Sequence, residues 1–121
     1  MNRRAMGGEG EERAVAYLIG RGALILRRNY ACRGGEIDVI AEHRGRLLFV
    51  EVKSRTGSAY GTGAESVTLA KRARISKAAL HYLTREGGFE RSMRFDVIEV
   101  TPKAIRWIPA AFDYVEPSGG A

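Results

Sequence analysis

Cysteine occurs once in 121 residues, at Cys32. A single thiol closes no disulfide within the chain and leaves no second sulfur for a metal knuckle, so a reducing compartment is the expected home. Cys32 then reads as a small buried apolar residue. The opening Met-Asn-Arg-Arg-Ala-Met lacks the run of roughly 7 to 15 apolar residues that a secretory signal needs, and no stretch approaches the ~18 of a membrane span. The expectation is a soluble cytoplasmic protein with no membrane association. Repeats, linkers and low-complexity blocks are missing too. At this length their absence argues for one domain over residues 1–121, with a core at about 8–114 and a frayed tail at 117–121. The two histidines, His43 and His81, have no Cys or His neighbour and read as surface residues; Trp107, the only tryptophan, reads as core.

The composition, 45% hydrophobic and 28% charged, is that of a globular protein able to bury about two-thirds of its unfolded surface. The net charge is +6, with sixteen of the twenty basic residues arginine. That charge is localised. From Lys53 to Arg85 seven basic residues face one acid, Glu65, while the rest of the chain balances at thirteen of each. A concentrated basic segment makes a polyanion the first partner to consider.

Apolar spacing predicts a first helix over Gly10–Arg21, with Ala14, Val15, Leu18 and Ile19 on one face and Gly20 and Gly22 closing it. Leu24 to Tyr30 reads as a strand, and Arg33, Gly34 and Gly35 as a turn. Glu36–Glu42 follows as a strand, with Ile37, Val39 and Ala41 on one face and Glu36, Asp38 and Ile40 on the other. His43, Arg44 and Gly45 make a short hairpin connection. In the strand Arg46–Lys53, Leu48, Val50 and Val52 share one face and Leu47, Phe49, Glu51 and Lys53 the other. A loop over Ser54–Gly63 precedes a helix at Glu65–Glu86, with Leu69, Ala73, Ser76, Leu80 and Leu83 inward and Lys71, Arg74, His81 and Arg85 outward. Strands at Met93–Val100 and Ala104–Ile108 complete an α/β order, a mixed sheet flanked by helices.

Charges in the middle of strands are the informative violations, because an unpaired charge at a half-buried position is costly. The hairpin sets Asp38 near Glu51 across the ladder, and Lys53 shares the face of Glu51. Two converging carboxylates repel unless a cation lies between them. Mg²⁺ or Mn²⁺, held by Asp38, Glu51 and the Val52 carbonyl, would fit, with Lys53 beside it to offset charge on a phosphate. Such a set suits metal-assisted phosphodiester hydrolysis. The alternative is an edge strand with Glu51 and Lys53 facing solvent and Asp38 paired with an arginine. Glu11 lies on the apolar face of the first helix and points inward, although an acid in a helix's first turn is also favoured by the macrodipole. Glu36 shares the face of Asp38 and is an auxiliary candidate, or simply the start of its strand.

Gly10-Glu11-Glu12, Gly35-Glu36-Ile37-Asp38-Val39-Ile40-Ala41, Phe49-Val50-Glu51-Val52-Lys53-Ser54-Arg55 and Arg94-Phe95-Asp96-Val97 together resemble the bacterial YraN-like uncharacterised family. That family is similar to archaeal Holliday junction resolvases and to the wider PD-(D/E)xK nuclease superfamily. The resemblance implies a restriction-endonuclease-like fold, with Asp38, Glu51 and Lys53 in the nuclease motif and Glu11 as the first-helix glutamate that completes such sites. Ile37 stands where proline would precede the aspartate. By analogy the substrate would be DNA, branched DNA included, and a resolvase acting with two sites would be a homodimer.

The loop Gly57-Ser58-Ala59-Tyr60-Gly61-Thr62-Gly63 lacks the Gly-Lys-Ser/Thr ending of a Walker motif. It reads as a flexible connection, or as a loop over nucleic acid with Tyr60 stacking on a base. Arg55, Lys71, Arg74 and Arg85 are candidate phosphate contacts, against the reading of a solvated helix face. The sequence thus points to a metal-dependent endonuclease; its alternative is a catalytically silent nucleic-acid-binding or adaptor protein on the same fold.

Overall fold

The computed structural model describes residues 3–57 and 67–116. The chain runs α1 (Arg3–Gly20), β1 (Leu24–Cys32), β2 (Gly35–His43), β3 (Arg46–Ser54), α2 (Leu69–Glu86), β4 (Met93–Val100) and β5 (Ile105–Phe112). The five strands form one sheet in the order β1-β2-β3-β4-β5. Neighbours are antiparallel except β3 and β4, which run parallel with α2 in the crossover between them. The expected mixed sheet flanked by helices is the observed architecture.

The helices cover opposite faces. One core gathers Ile37, Ile40, Leu47, Phe49 and Phe95 under Ile75, Ala78, Tyr82 and Leu83 of α2. The other packs Val39, Ala41, Leu48, Val50 and Ile98 against Ala14, Val15 and Leu18 of α1. The strand β3 alternates between them as its sequence pattern requires. In β2 the alternation slips, for Ile37 faces α2 while Val39 and Ala41 face α1, so these three do not share a face as expected. The slip falls at Asp38. The pairs Arg28↔Val39 and Tyr30↔Ile37 set Asp38 opposite Asn29, whose φ of 53° puts it in the left-handed region.

Several boundaries move. The helix α1 begins at Arg3, not Gly10, and Ile19 is exposed. The hairpin turn is Arg44–Gly45 alone, both at positive φ, because His43 pairs with Arg46. The strand β5 continues through Pro109 to Phe112. Pro109 is tolerated because β5 is an edge strand and the ladder shifts there, Ala110 taking positive φ and donating its N–H to Asp96 Oδ1 at 3.0 Å. Thr68 caps α2, accepting from the Lys71 N–H at 3.1 Å. The helix α2 thus starts at Leu69, not at Glu65, since Val67 and Thr68 are not helical; Glu65 itself, the glycine loop around Tyr60 and the tail at 117–121 lie outside the described residues.

The inward face of α2 also differs. Leu69 is 69% and Leu80 41% exposed, while Ile75, Ala78, Ala79 and Tyr82 are buried. Gly35 is the cause. A Cβ at Gly35 would lie 2.5 Å from the Arg74 carbonyl and 2.9 Å from the Ala78 nitrogen, so the backbone of α2 rests directly on β2 and presents its small residues there. The sequence reads Gly35 as part of a turn; it is a strand residue that permits close approach.

Candidate active-site cleft

The β2–β3 ladder ends at Val39↔Val50. Beyond it β2 stays with β1 and β3 continues beside β4, so the two strands fork. The hairpin register, extended one step, sets Asp38 opposite Glu51 at the mouth of that fork. The Val52 N–H, freed from the β2 ladder, donates to Asp38 Oδ2 at 2.8 Å. The two carboxyls line the same cleft, close enough for the charge of Glu51 to act on Asp38.

Two helices close the sides of the fork, α1 with its middle and α2 with its start. The helix α1 approaches where Gly10 is buried against the end of β3; a Cβ there would overlap Ser54 Oγ. That contact aims Glu11 at Asp38. Glu11 accepts from Arg28 Nε at 3.3 Å and Asn29 Nδ2 at 3.1 Å, and Arg28 also pairs with Glu12 at 2.6 Å. From α2, Lys71 Nζ lies 3.1 Å from Glu51 Oε2, and Glu51 is only 4% exposed. The rotation of α2 turns Lys71 inward, where the sequence pattern has it outward. The resulting cleft of about 680 Å³ is lined by Glu11, Glu36, Asp38, Glu51, Val52 and Lys71, among others.

The charges respond to this crowding. Burial first, then the neighbouring Glu51 carboxylate, push the Asp38 carboxyl from 3.8 up to about 7, against the pull of the Val52 N–H. Burial and the Asp38 charge raise Glu11, with Arg28 acting in the opposite sense. Burial disfavours the Lys71 ammonium, but the charge and hydrogen bond of Glu51 outweigh it, and its pKa is raised.

Other candidates lie elsewhere. Lys53 is half-buried on the face of Glu51 but does not line the cleft. Arg55 is paired with Glu99 at 3.2 Å. Glu36 is exposed at the rim, and Arg74 and Arg85 are exposed on α2; Arg74 follows Lys71 by one turn, whereas Arg85 lies about 21 Å of helix away from it. Tyr60 lies outside the described residues. Sequence reasoning missed Arg28 and Asn29 as partners of Glu11; an asparagine in mid-strand was the available signal, since it tolerates the left-handed region.

Two further buried acids show what saturation looks like. Asp96 accepts from Arg94 at 2.7 and 2.9 Å, from Trp107 Nε1 at 2.8 Å and from the Ala110 N–H. Glu99 is held between Arg55 and Arg106. Both acids belong to the β4–β5 side of the sheet and do not line the cleft. Among the described residues no guanidinium is paired with Asp38 or Glu51, and Lys71 is the one ion-pair partner of the two. Among the described residues no group of three or more His, Cys, Asp or Glu side chains is placed to hold a metal ion, so a cation here would need backbone or water oxygens as well.

Residues 10–100 match the model of the uncharacterised protein family UPF0102. A UPF0102 protein of Geobacter metallireducens is 42% identical over 117 residues, covering 93% of this chain and 96% of that one. One of Symbiobacterium thermophilum is 48% identical over 99 residues, covering 82% and 84%. Among solved structures, Archaeoglobus fulgidus Hjc, a Holliday junction resolvase from an archaeal hyperthermophile, overlays 86% of this chain and 77% of its own at a TM-score of 0.50 and 18% identity. At that identity the likeness is one of fold.

Proposed function

The chain belongs to the uncharacterised protein family UPF0102, the YraN-like family that its motifs resemble, and from that premise we propose that the forked cleft is the active site of a metal-dependent endonuclease acting on DNA. One contrast supports this reading above the rest. The fold neutralises Asp96 and Glu99 with arginines, whereas Asp38 and Glu51 line an open cleft with Lys71 as their one ion-pair partner among the described residues. Converging carboxylates with spare lone pairs are the hard-oxygen set that suits Mg²⁺ or Mn²⁺.

Asp38, Glu51 and the Val52 carbonyl would hold the ion, and waters would complete its shell. A bound Mg²⁺ supplies Lewis-acid polarisation of a phosphodiester and a more acidic water. The chain's own groups do the remainder. The Val52 N–H fixes the Asp38 carboxylate, Glu11 orients water at the cleft wall, and Lys71 offsets charge on the phosphorus oxygens, with Lys53 adding positive charge from outside the cleft lining. Arg74 and Arg85 meet the backbone outside the cleft, so recognition is of backbone and shape, branched DNA included, by a homodimer in the cytoplasm. No helix among the described residues is long and apolar enough to cross a membrane.

Purified protein is expected to nick or cut linear, flapped or four-way DNA only with Mg²⁺ or Mn²⁺, and Asp38→Ala with Glu51→Ala to abolish this while the fold survives. Cleavage persisting in the double variant sinks the proposal. The contact of Lys71 with Glu51 favours a second reading, a silent DNA-binding domain in which the lysine permanently takes the cation's place. A thermal shift on Mg²⁺ titration that Asp38→Ala loses supports the first; salt-sensitive binding with no metal response supports the second.

A further inference from the structure

At the end of the sheet away from the carboxylate cleft lies a second cavity, of about 570 Å³, built from four separate parts of the chain. The end of α1 contributes Tyr17 and Arg21, the β2–β3 hairpin His43, Arg44 and Arg46, β4 Arg94, and β5 Trp107. Roughly 15 Å of helix separates Arg21 from Glu11 of the cleft. No acidic side chain lines this cavity. Arg94 is neutralised by its two bonds to Asp96. Arg21, Arg44 and Arg46 have no carboxylate partner among the described residues. Arg46 donates to Ser92 Oγ at 3.1 Å, and the Arg21 guanidinium lies 3.7 Å from the centre of the Tyr17 ring.

The aromatic wall is fixed. Trp107 donates its indole N–H to buried Asp96 at 2.8 Å, and the His43 ring meets the indole edge-on at 5.3 Å. His43 Nε2 lies 3.0 Å from the Arg21 carbonyl, tying the hairpin to the end of α1. Three guanidiniums lining one cavity without an acid favour an anion there, and the half-buried rings of Trp107 and His43 beside them offer aromatic surface. That combination suits a ligand that is both anionic and planar.

We propose that this cavity binds one nucleotide unit of a single strand of nucleic acid, its phosphate met by Arg21, Arg44 and Arg46 and its base resting against the Trp107–His43 pair. The site is independent of whether the carboxylate cleft cleaves. Trp107 is the only tryptophan, so intrinsic tryptophan fluorescence reports this cavity alone. The test titrates the full chain, in a metal chelator that prevents cleavage, with a short oligothymidylate.

Saturable quenching is expected, with an apparent Kd raised at least about tenfold when Arg44→Asn and Arg46→Gln are combined, a loss of about 1.4 kcal/mol. Asparagine is chosen at position 44 because it tolerates the positive φ there. Should that variant melt early, Arg21→Gln, outside the hairpin, is expected to weaken binding in the same direction. Absence of saturable quenching overturns the proposal, as does an unchanged Kd in the folded variants. Inorganic phosphate quenching as tightly as the oligonucleotide would overturn it too, because the base would then contribute nothing.

Discussion

Asp38 and Asp96 are the same residue in the same sheet with opposite duties. Asp96 is fully buried and accepts four hydrogen bonds, two of them from Arg94. Asp38 accepts one from the Val52 N–H and faces Glu51, and is pushed up to about 7. Between its ordinary 3.8 and that value the folded chain holds a proton that the unfolded chain releases, so stability falls as pH rises through this window. The metal-free protein should therefore melt at lower temperature at about pH 8 than at about pH 5, a slope that Asp38→Asn flattens and that Mg²⁺ partly reverses at the high-pH end. Parallel melting profiles for Asp38→Asn and the parent would sink this account. The two carboxylates were legible in the sequence because a charge inside an apolar strand breaks its alternation. Lys71 was not, since its direction depends on how α2 is rotated, and nothing in a helical repeat fixes that angle against a sheet.

The rotation is decided where elements touch, and there glycine does more than the apolar pattern. The succession of strands along the chain and most strand ends were readable from period-two alternation and from the turn residues between runs, whereas their order in the sheet was not. The inward face of α2 was misplaced toward Leu69 and Leu80, since a pattern weighs large side chains and misses a site that accepts only small ones. Gly35 opposite Arg74 and Ala78 is that site. Gly35→Ala is expected to cost about 1–3 kcal/mol by forcing α2 off β2, and to weaken the Lys71–Glu51 contact with it. Gly20→Ala, where an added Cβ meets nothing within 4 Å, should be neutral or slightly stabilising. Chemical denaturation of both variants checks this; equal midpoints would show that the close approach is dispensable. Pro109 likewise depends on its surroundings: β5 runs through it because the strand lies on an edge with a bulge beside it.

At the scale of the molecule the net charge is redistributed. Summed along the chain, all of the +6 falls between Lys53 and Arg85. In the fold Arg55 is bound to Glu99 and Lys71 to Glu51, so exposed Arg74, Lys77 and Arg85 carry what that segment can offer a polyanion. A second basic zone, around Arg21, Arg44 and Arg46, was invisible to the sum because it is assembled from segments that are balanced overall. Arg85 needs a separate test, because it stands in the last turn of α2, where the helix dipole alone favours a cation. Each lost phosphate contact should flatten the slope of log K against log salt by about 0.9 on duplex DNA. Arg74→Ala should show that change. If Arg85→Ala shows it as well, both arginines touch the backbone. If instead Arg85→Ala keeps the slope and lowers the melting temperature, the residue serves the helix, and the DNA track on α2 narrows to the end nearest the cleft.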